Sequence, residues 1–340
     1  MTDMTLSSYS SSLTGQRLAQ NGVLAPGKTA SFSEPALAAA ITKAASTQTH
    51  FTIRCLVDRP LVADAYRAYA YFRWVDDTLD QGQMTQAARL AFLARQEAIL
   101  SRCCQGEWPD DLRAEECLAA NLIHSDPTEE SGLRMYIRQM MAVMVFDAVR
   151  KDRLVSQAEL TEYTCCLATA VTEALHYFIG HHDASPQDDS RYLAVTGAHI
   201  THMLRDAIED TVVGYYNIPQ EYLAAHGITA ADVHHDAYRN WVQHRVQLAR
   251  HCFAAGRDYL ARVENRRCRL AGYAYIARFE VVLDAIEKDD YRLRLNYPER
   301  KRMRAGLKMG LSALAQTMTS SLSARQRSIP HIAPSVEIAK

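Results

Sequence analysis

Apolar and aromatic side chains recur every three or four positions along most of the chain. Between Pro60 and Asp80 the recurrence runs through Leu61, Ala65, Tyr69 and Phe72, the spacing of one face of an α-helix. The runs from Leu133 to Arg150 and from Leu193 to Val213 are longer than ordinary strands and read as buried helices. Ser33 precedes Glu34, Pro35 and the Ala-rich stretch Ala36 to Ala45, a start in which a hydroxyl caps and a proline enters the first turn. Turn-forming residues gather at 107–111, 124–127, 183–190 and 214–219, where the helices are expected to break. Strand–helix alternation, a glycine-rich phosphate loop and a fixed-period repeat do not emerge, so dinucleotide-binding and solenoid readings lose support. The pattern predicts one all-α domain from about residue 32 to 325. A Ser-rich tail over 1–31 and a flexible tail over 326–340 are expected to flank it.

Composition narrows the class. Lys and Arg number 38 against 39 Asp and Glu, a formal charge of −1; no cationic excess exists for a polyanion, and nucleic-acid binding is disfavoured. Hydrophobic residues at 48% supply a large core. Only 14 Gly and 10 Pro imply long elements. The most apolar stretch, Met140 to Ala148, is too short to span a membrane and contains Asp147. An apolar N-terminal leader is not visible. Cys103-Cys104 and Cys165-Cys166 lack the C-x-x-C spacing of zinc and redox sites. A reducing cytoplasm is the expected location.

Two acidic clusters carry the chemistry. Arg73-Trp74-Val75-Asp76-Asp77-Thr78-Leu79-Asp80 places Asp76 and Asp80 on one helix face with Asp77 beside them. Arg205-Asp206-Ala207-Ile208-Glu209-Asp210 repeats the i,i+4 carboxylate pair near the end of an apolar helix, where the helix dipole prefers cations. Either cluster alone reads as a solvated acidic face. Together, each with an arginine, they point to a divalent ion. Mg²⁺ is commonly held by one or two carboxylates plus substrate phosphates. Two such helices across a cavity would grip a diphosphate, with Arg73 and Arg205 neutralising the remaining charge.

At these residues the chain resembles the squalene/phytoene synthase family. Tyr69 to Asp80 is similar to its first signature, Y-x-x-x-R-x-x-D-D-x-x-D, and His202 to Asp210 is similar to its second, N-I-L-R-D-x-x-E-D, followed here by Gly214, Tyr216, Pro219 and Leu223. Weaker similarity extends from about Ala36 to Leu307. The resemblance implies an all-helical isoprenoid-synthase fold around a central apolar cavity. It implies Mg²⁺-assisted ionisation of an allylic prenyl diphosphate and coupling of the carbocation to a second prenyl diphosphate through a cyclopropyl intermediate. Asp76, Asp77, Asp80, Asp206 and Asp210 would hold metal, and Arg73 and Arg205 would bind diphosphate. Aromatic faces such as Tyr69, Phe72 or Tyr177 either stabilise the cation or pack the core. NADPH use stays open, because reducing members of this family also lack a Rossmann motif.

Several positions depart from the family pattern. His199 and His202 stand where Gln and Asn are usual, in reach of substrate or packed as ordinary helix histidines. The family's G-T-V-G stretch appears as Thr169 to Thr172, and Val143 occupies a glycine-like position. Val143 and Thr172 are therefore expected to narrow the cavity. The family's C-terminal arginine falls on Asn296, with Arg292 and Arg294 as substitutes. These changes keep two rivals in view: a class I terpene cyclase or single-diphosphate prenyltransferase, and a catalytically silent assembly or chaperone protein. His181-His182 and His234-His235 lack metal-ligand spacing, and the Met135, Met140, Met141 and Met144 cluster reads as core or cavity wall. The basic patch Arg300 to Arg304 precedes an amphipathic run to Leu322, either a solvated helix or a peripheral membrane contact.

Overall fold

Five helices start where a short polar side chain meets the first unpaired backbone amides. Ser46, Thr85, Ser131 and Asn265 each accept from an amide three residues on, and Ser156 with Glu159 forms a reciprocal capping box. The computed structural model describes residues 34–80 and 84–301. Among them, eleven α-helices and no strand follow one another: α1 (Glu34–Ala45), α2 (Thr47–Leu56), α3 (Val62–Leu79), α4 (Gln86–Cys104), α5 (Ala114–His124), α6 (Gly132–Arg150), α7 (Gln157–Phe178), α8 (Leu193–Val212), α9 (Gln220–His226), α10 (Asp236–Arg262) and α11 (Arg266–Lys288).

The periodic runs are helices α3, α6 and α8, and the four turn-rich stretches fall between α-helices, 124–127 starting on the last residue of one. A 3-10 turn over Arg59–Leu61 carries Pro60 and delays the start of α3 to Val62. At the far end, Asp290 and Tyr291 adopt positive φ of 53° and 60°, so α11 stops at Lys288 and the chain reverses. The 1–31 tail, the Ser33 cap, Arg302, Arg304, the run to Leu322 and the 326–340 tail lie outside the described residues. Among the described residues no helix is long and apolar enough to cross a membrane.

Helix α8 is the central element. It packs on α7, α10 and α11 and is buried nearly all round, as the scarcity of polar positions before Arg205 dictates. Alongside it α6 packs on α7, and α3 packs against α1, α5 and α6. Met140, Met141 and Met144 join this core. His181, His182, His234 and His235 are exposed, and His235 caps α10.

Two glycines set the distance between α8 and α10. A Cβ at Gly256 would meet the Ala194 Cα and N at 2.9 Å, and one at Gly197 would meet the Phe253 ring at 2.9 Å. Gly256→Val is therefore expected to lower the unfolding free energy by about 1–3 kcal/mol, the usual cost of overpacking. Urea denaturation measures it, and an unchanged midpoint would contradict so close a contact.

Candidate active site

The last turns of α3 form one acidic wall. Arg73 is buried and grips Asp77 with both arms of its guanidinium, Nε at 2.9 Å, while Nη1 stands 3.6 Å from Asp76. Asp76 and Asp80 turn toward α6, where Asp147 faces them across a small cavity of about 20 Å³ that Tyr215 also lines. Burial, then the neighbouring Asp80 carboxylate, pushes Asp76 well above the ordinary carboxyl range. Burial and Asp147 push Asp80 up to about 6. Like charges gathered out of water hold protons for this reason.

The end of α8 forms the second wall. Asp206 receives the Arg205 guanidinium fork, and His202 Nε2 lies 2.9 Å from one of its oxygens. Burial alone would raise the Asp206 carboxyl; the imidazole and guanidinium contacts outweigh it and hold the group well below its usual range. Burial, reinforced by Arg205, lowers His202. Asp210 behaves oppositely. Burial and the Asp206 charge push it up to about 8; one oxygen accepts from Asn217 Nδ2 at 2.7 Å, and the other is buried with no hydrogen-bond partner.

Arg150 ties Asp147, which faces the first wall, to the second. Only 2% exposed, it donates from Nε to Asp147 at 2.7 Å and from Nη1 to the Asn217 side-chain oxygen Oδ1 at 2.9 Å. Its guanidinium lies 5.0 Å and 4.9 Å from the ring centroids of Tyr163 and Tyr215, and Tyr163 donates to the other Asp147 oxygen at 3.1 Å. The sequence pattern marks Arg150 only as the end of a helical run and Asn217 only as a turn residue. The signal that could have found Arg150 is the charge pair Asp147 and Arg150, three apart, closing the apolar run that starts at Met140; no comparable signal marks Asn217.

Beside these walls lies an apolar cavity of about 280 Å³, lined by Tyr69, Tyr136, Leu167, Tyr275 and Phe279 and by both His199 and His202. Phe72 and Val143 are instead wholly buried in the packed core, Phe72 edge-on to Tyr136 at 5.2 Å. Thr172 is buried with its hydroxyl unpartnered, and its neighbours Val171 and Leu175 reach the cavity. Tyr177 packs on the His181 ring at 4.4 Å. Arg294 pairs with Asp289 and Glu299, and Arg292 and Asn296 are exposed.

Among the described residues, no three Asp, Glu, His or Cys side chains converge closely enough to enclose a metal ion. The donor chemistry nevertheless fits Mg²⁺, which takes hard oxygen ligands and keeps places for water and phosphate. The under-compensated Asp76, Asp80 and Asp147 and the unpartnered Asp210 oxygen mark where positive charge is lacking.

A model of the squalene/phytoene synthase family matches residues 43–306. The chain belongs to the squalene/phytoene synthase family. A chloroplastic phytoene synthase from an Oncidium hybrid cultivar is 31% identical over 96 residues, 27% of this chain and 23% of that protein. The match thus spans under a quarter of that relative's length. A dehydrosqualene synthase solved with a ligand superposes with a TM-score of 0.61 at 16% identity, covering 86% of this chain and 97% of that one. A squalene synthase from Alicyclobacillus acidocaldarius gives 0.58 at 19% identity, covering 77% and 95%. The fold is the all-helical isoprenoid-synthase fold that the family resemblance implied.

Two predictions follow from the charge arrangement. Arg150→Met is expected to lower stability at pH 7.5 by about 3–5 kcal/mol, because it strands buried charge; guanidinium denaturation reads the loss. Asp210 in the folded protein titrates far above an unfolded carboxyl near about 4. Its contribution is therefore full below about pH 4 and lost as pH rises to about 8. Metal-free wild type should lose stability relative to Asp210→Asn between about pH 5 and pH 8, and parallel curves would refute the assignment.

Proposed function

We propose that the protein is a Mg²⁺-dependent prenyl diphosphate transferase of squalene/phytoene synthase type, ionising an allylic diphosphate and coupling the carbocation to a second prenyl chain. One observation carries the reading. Asp147 shares one small cavity with Asp76 and Asp80 of α3 and is linked through Arg150 and Asn217 to Asp210 of α8, so the two acidic walls meet around α6 beside an apolar cavity.

Asp76, Asp80 and Asp210, whose carboxylates are least compensated, are the first candidates to hold metal. Asp77 and Asp206 would become available to metal if Arg73 and Arg205 turned from carboxylate to diphosphate, a bidentate exchange that guanidinium geometry suits. Bound Mg²⁺ would neutralise charge on the departing diphosphate. The chain's own residues do the rest. The arginines orient the leaving group, the apolar walls exclude water from the cation, and the Tyr69 ring offers its negative face. The five carboxylates are all retained, which speaks against a silent assembly protein.

The cavity volume favours a second reading, a class I cyclase or single-diphosphate prenyltransferase. At about 280 Å³ it falls just below the roughly 300–1,000 Å³ of ordinary ligand pockets, tight quarters for two prenyl chains.

Incubation with farnesyl or geranylgeranyl diphosphate, with and without Mg²⁺ and NADPH, is the test. Pyrophosphate release should require Mg²⁺ and fall by about 100-fold or more in Asp76→Ala and Asp206→Ala, the scale of a lost electrostatic contact to developing charge. Mass spectrometry then separates a doubled hydrocarbon skeleton from a cyclic or unsymmetrical one. No release from wild type, with Asp206→Ala indistinguishable from it, would overturn both enzymatic readings.

A further inference from the structure

His199 has an environment that the roles above leave unexplained. It is 5% exposed, and neither ring nitrogen has a hydrogen-bond partner among the described residues. The ring lines the apolar cavity and stands edge-on to Tyr163 at 4.9 Å. A buried polar group left unpaired is destabilising, and neither ring nitrogen finds a partner in the resting fold to offset it. The titratable and charged groups that face it are His202 on its own helix, Tyr163 on α7, Arg150 on α6 and Arg245 on α10. None is a carboxylate. Burial, with Arg150 and Arg245 nearby, favours the neutral imidazole, so one nitrogen keeps an unused lone pair.

Position along α8 separates this group from the acidic wall. Seven residues, two turns, place His199 about 10 Å along the helix axis from Asp206. His202, a turn closer, is already against Asp206. The His199 ring therefore faces the hydrocarbon part of a bound chain rather than its diphosphate. Hydrocarbon offers an imidazole nothing to bond until a carbocation forms, when the C–H bonds next to the cationic carbon become strongly acidic.

On the transferase reading just given, we propose that His199 is the proton acceptor that ends the reaction. Its lone pair takes a proton from the carbon adjacent to the cationic centre. The C–H electron pair becomes a new C=C bond, and the positive charge passes to the imidazolium. The proton leaves to diphosphate or solvent as product departs. No oxidant or reductant is required. The product class is an alkene formed by proton loss, rather than one quenched by hydride or water.

The test compares wild type, His199→Gln and His199→Leu with Mg²⁺ and farnesyl or geranylgeranyl diphosphate. The readout is alkene formed per pyrophosphate released. General-base contributions run to about 100-fold or more, so this ratio should fall by about that factor in both variants, with alcohols or rearranged skeletons taking its place. His199→Leu removes no hydrogen bond, so its thermal midpoint should equal or exceed that of wild type. An unchanged alkene ratio would overturn the proposal, as would a lowered His199→Leu midpoint, which would mark a structural histidine. Wild type that releases no pyrophosphate would instead remove the transferase reading beneath it.

Discussion

A guanidinium sealed between two carboxylate-bearing walls is the interaction on which the site depends. Without Arg150, Asp147 would face Asp76 and Asp80 without its own ion pair, and Asp210 would lose the positive end of its Asn217 relay. Ion pairs buried this deeply rarely add net stability, because desolvation consumes the Coulomb gain. The more defensible role is registry. Arg150 is bonded to its own helix and to the loop after α8 at once, so Asp147 and the acidic end of α8 are held in register before any ligand arrives.

That arrangement leaves the site short of positive charge. Asp77 and Asp206 are each satisfied by an adjacent arginine, while Asp76, Asp80 and Asp210 rise because burial and like charges leave them under-compensated. Divalent ions entering with a diphosphate would resolve both halves together, with metal taking the carboxylates and the arginines taking the phosphate oxygens. The resting ion pairs keep the arginines desolvated and close to where the proposed leaving group would lie.

The fold was legible because its physics is local. Threefold and fourfold spacing, Ser and Thr caps and clustered turn residues act within a few positions of each other, and they place α3, α6 and α8 nearly to the residue. Both acidic clusters were legible for the same reason. Asp147, Arg150 and Asn217 were not, because they become a relay only when α6 and the loop after α8 meet, 67 residues apart. Phe72 shows the same limit at smaller scale. Three residues from Tyr69, it is offset by about 60° around the helix, and that rotation sends it into the core while Tyr69 reaches the cavity.

Helix α8 orders its polar groups along one axis. His199, His202, Asp206 and Asp210 succeed one another at three- and four-residue steps, from the apolar cavity to the acidic end. The helix ends at Val212, so the negative pole of its dipole adds to the carboxylates there and strengthens the pull on cations. Toward His199 the polarity reverses, with arginines nearby and no carboxylate. A single helix thus keeps the region suited to a diphosphate and its metals apart from the region suited to a hydrocarbon cation. That separation matters for the proposed chemistry, since a carbocation held beside its own leaving group would simply recombine with it.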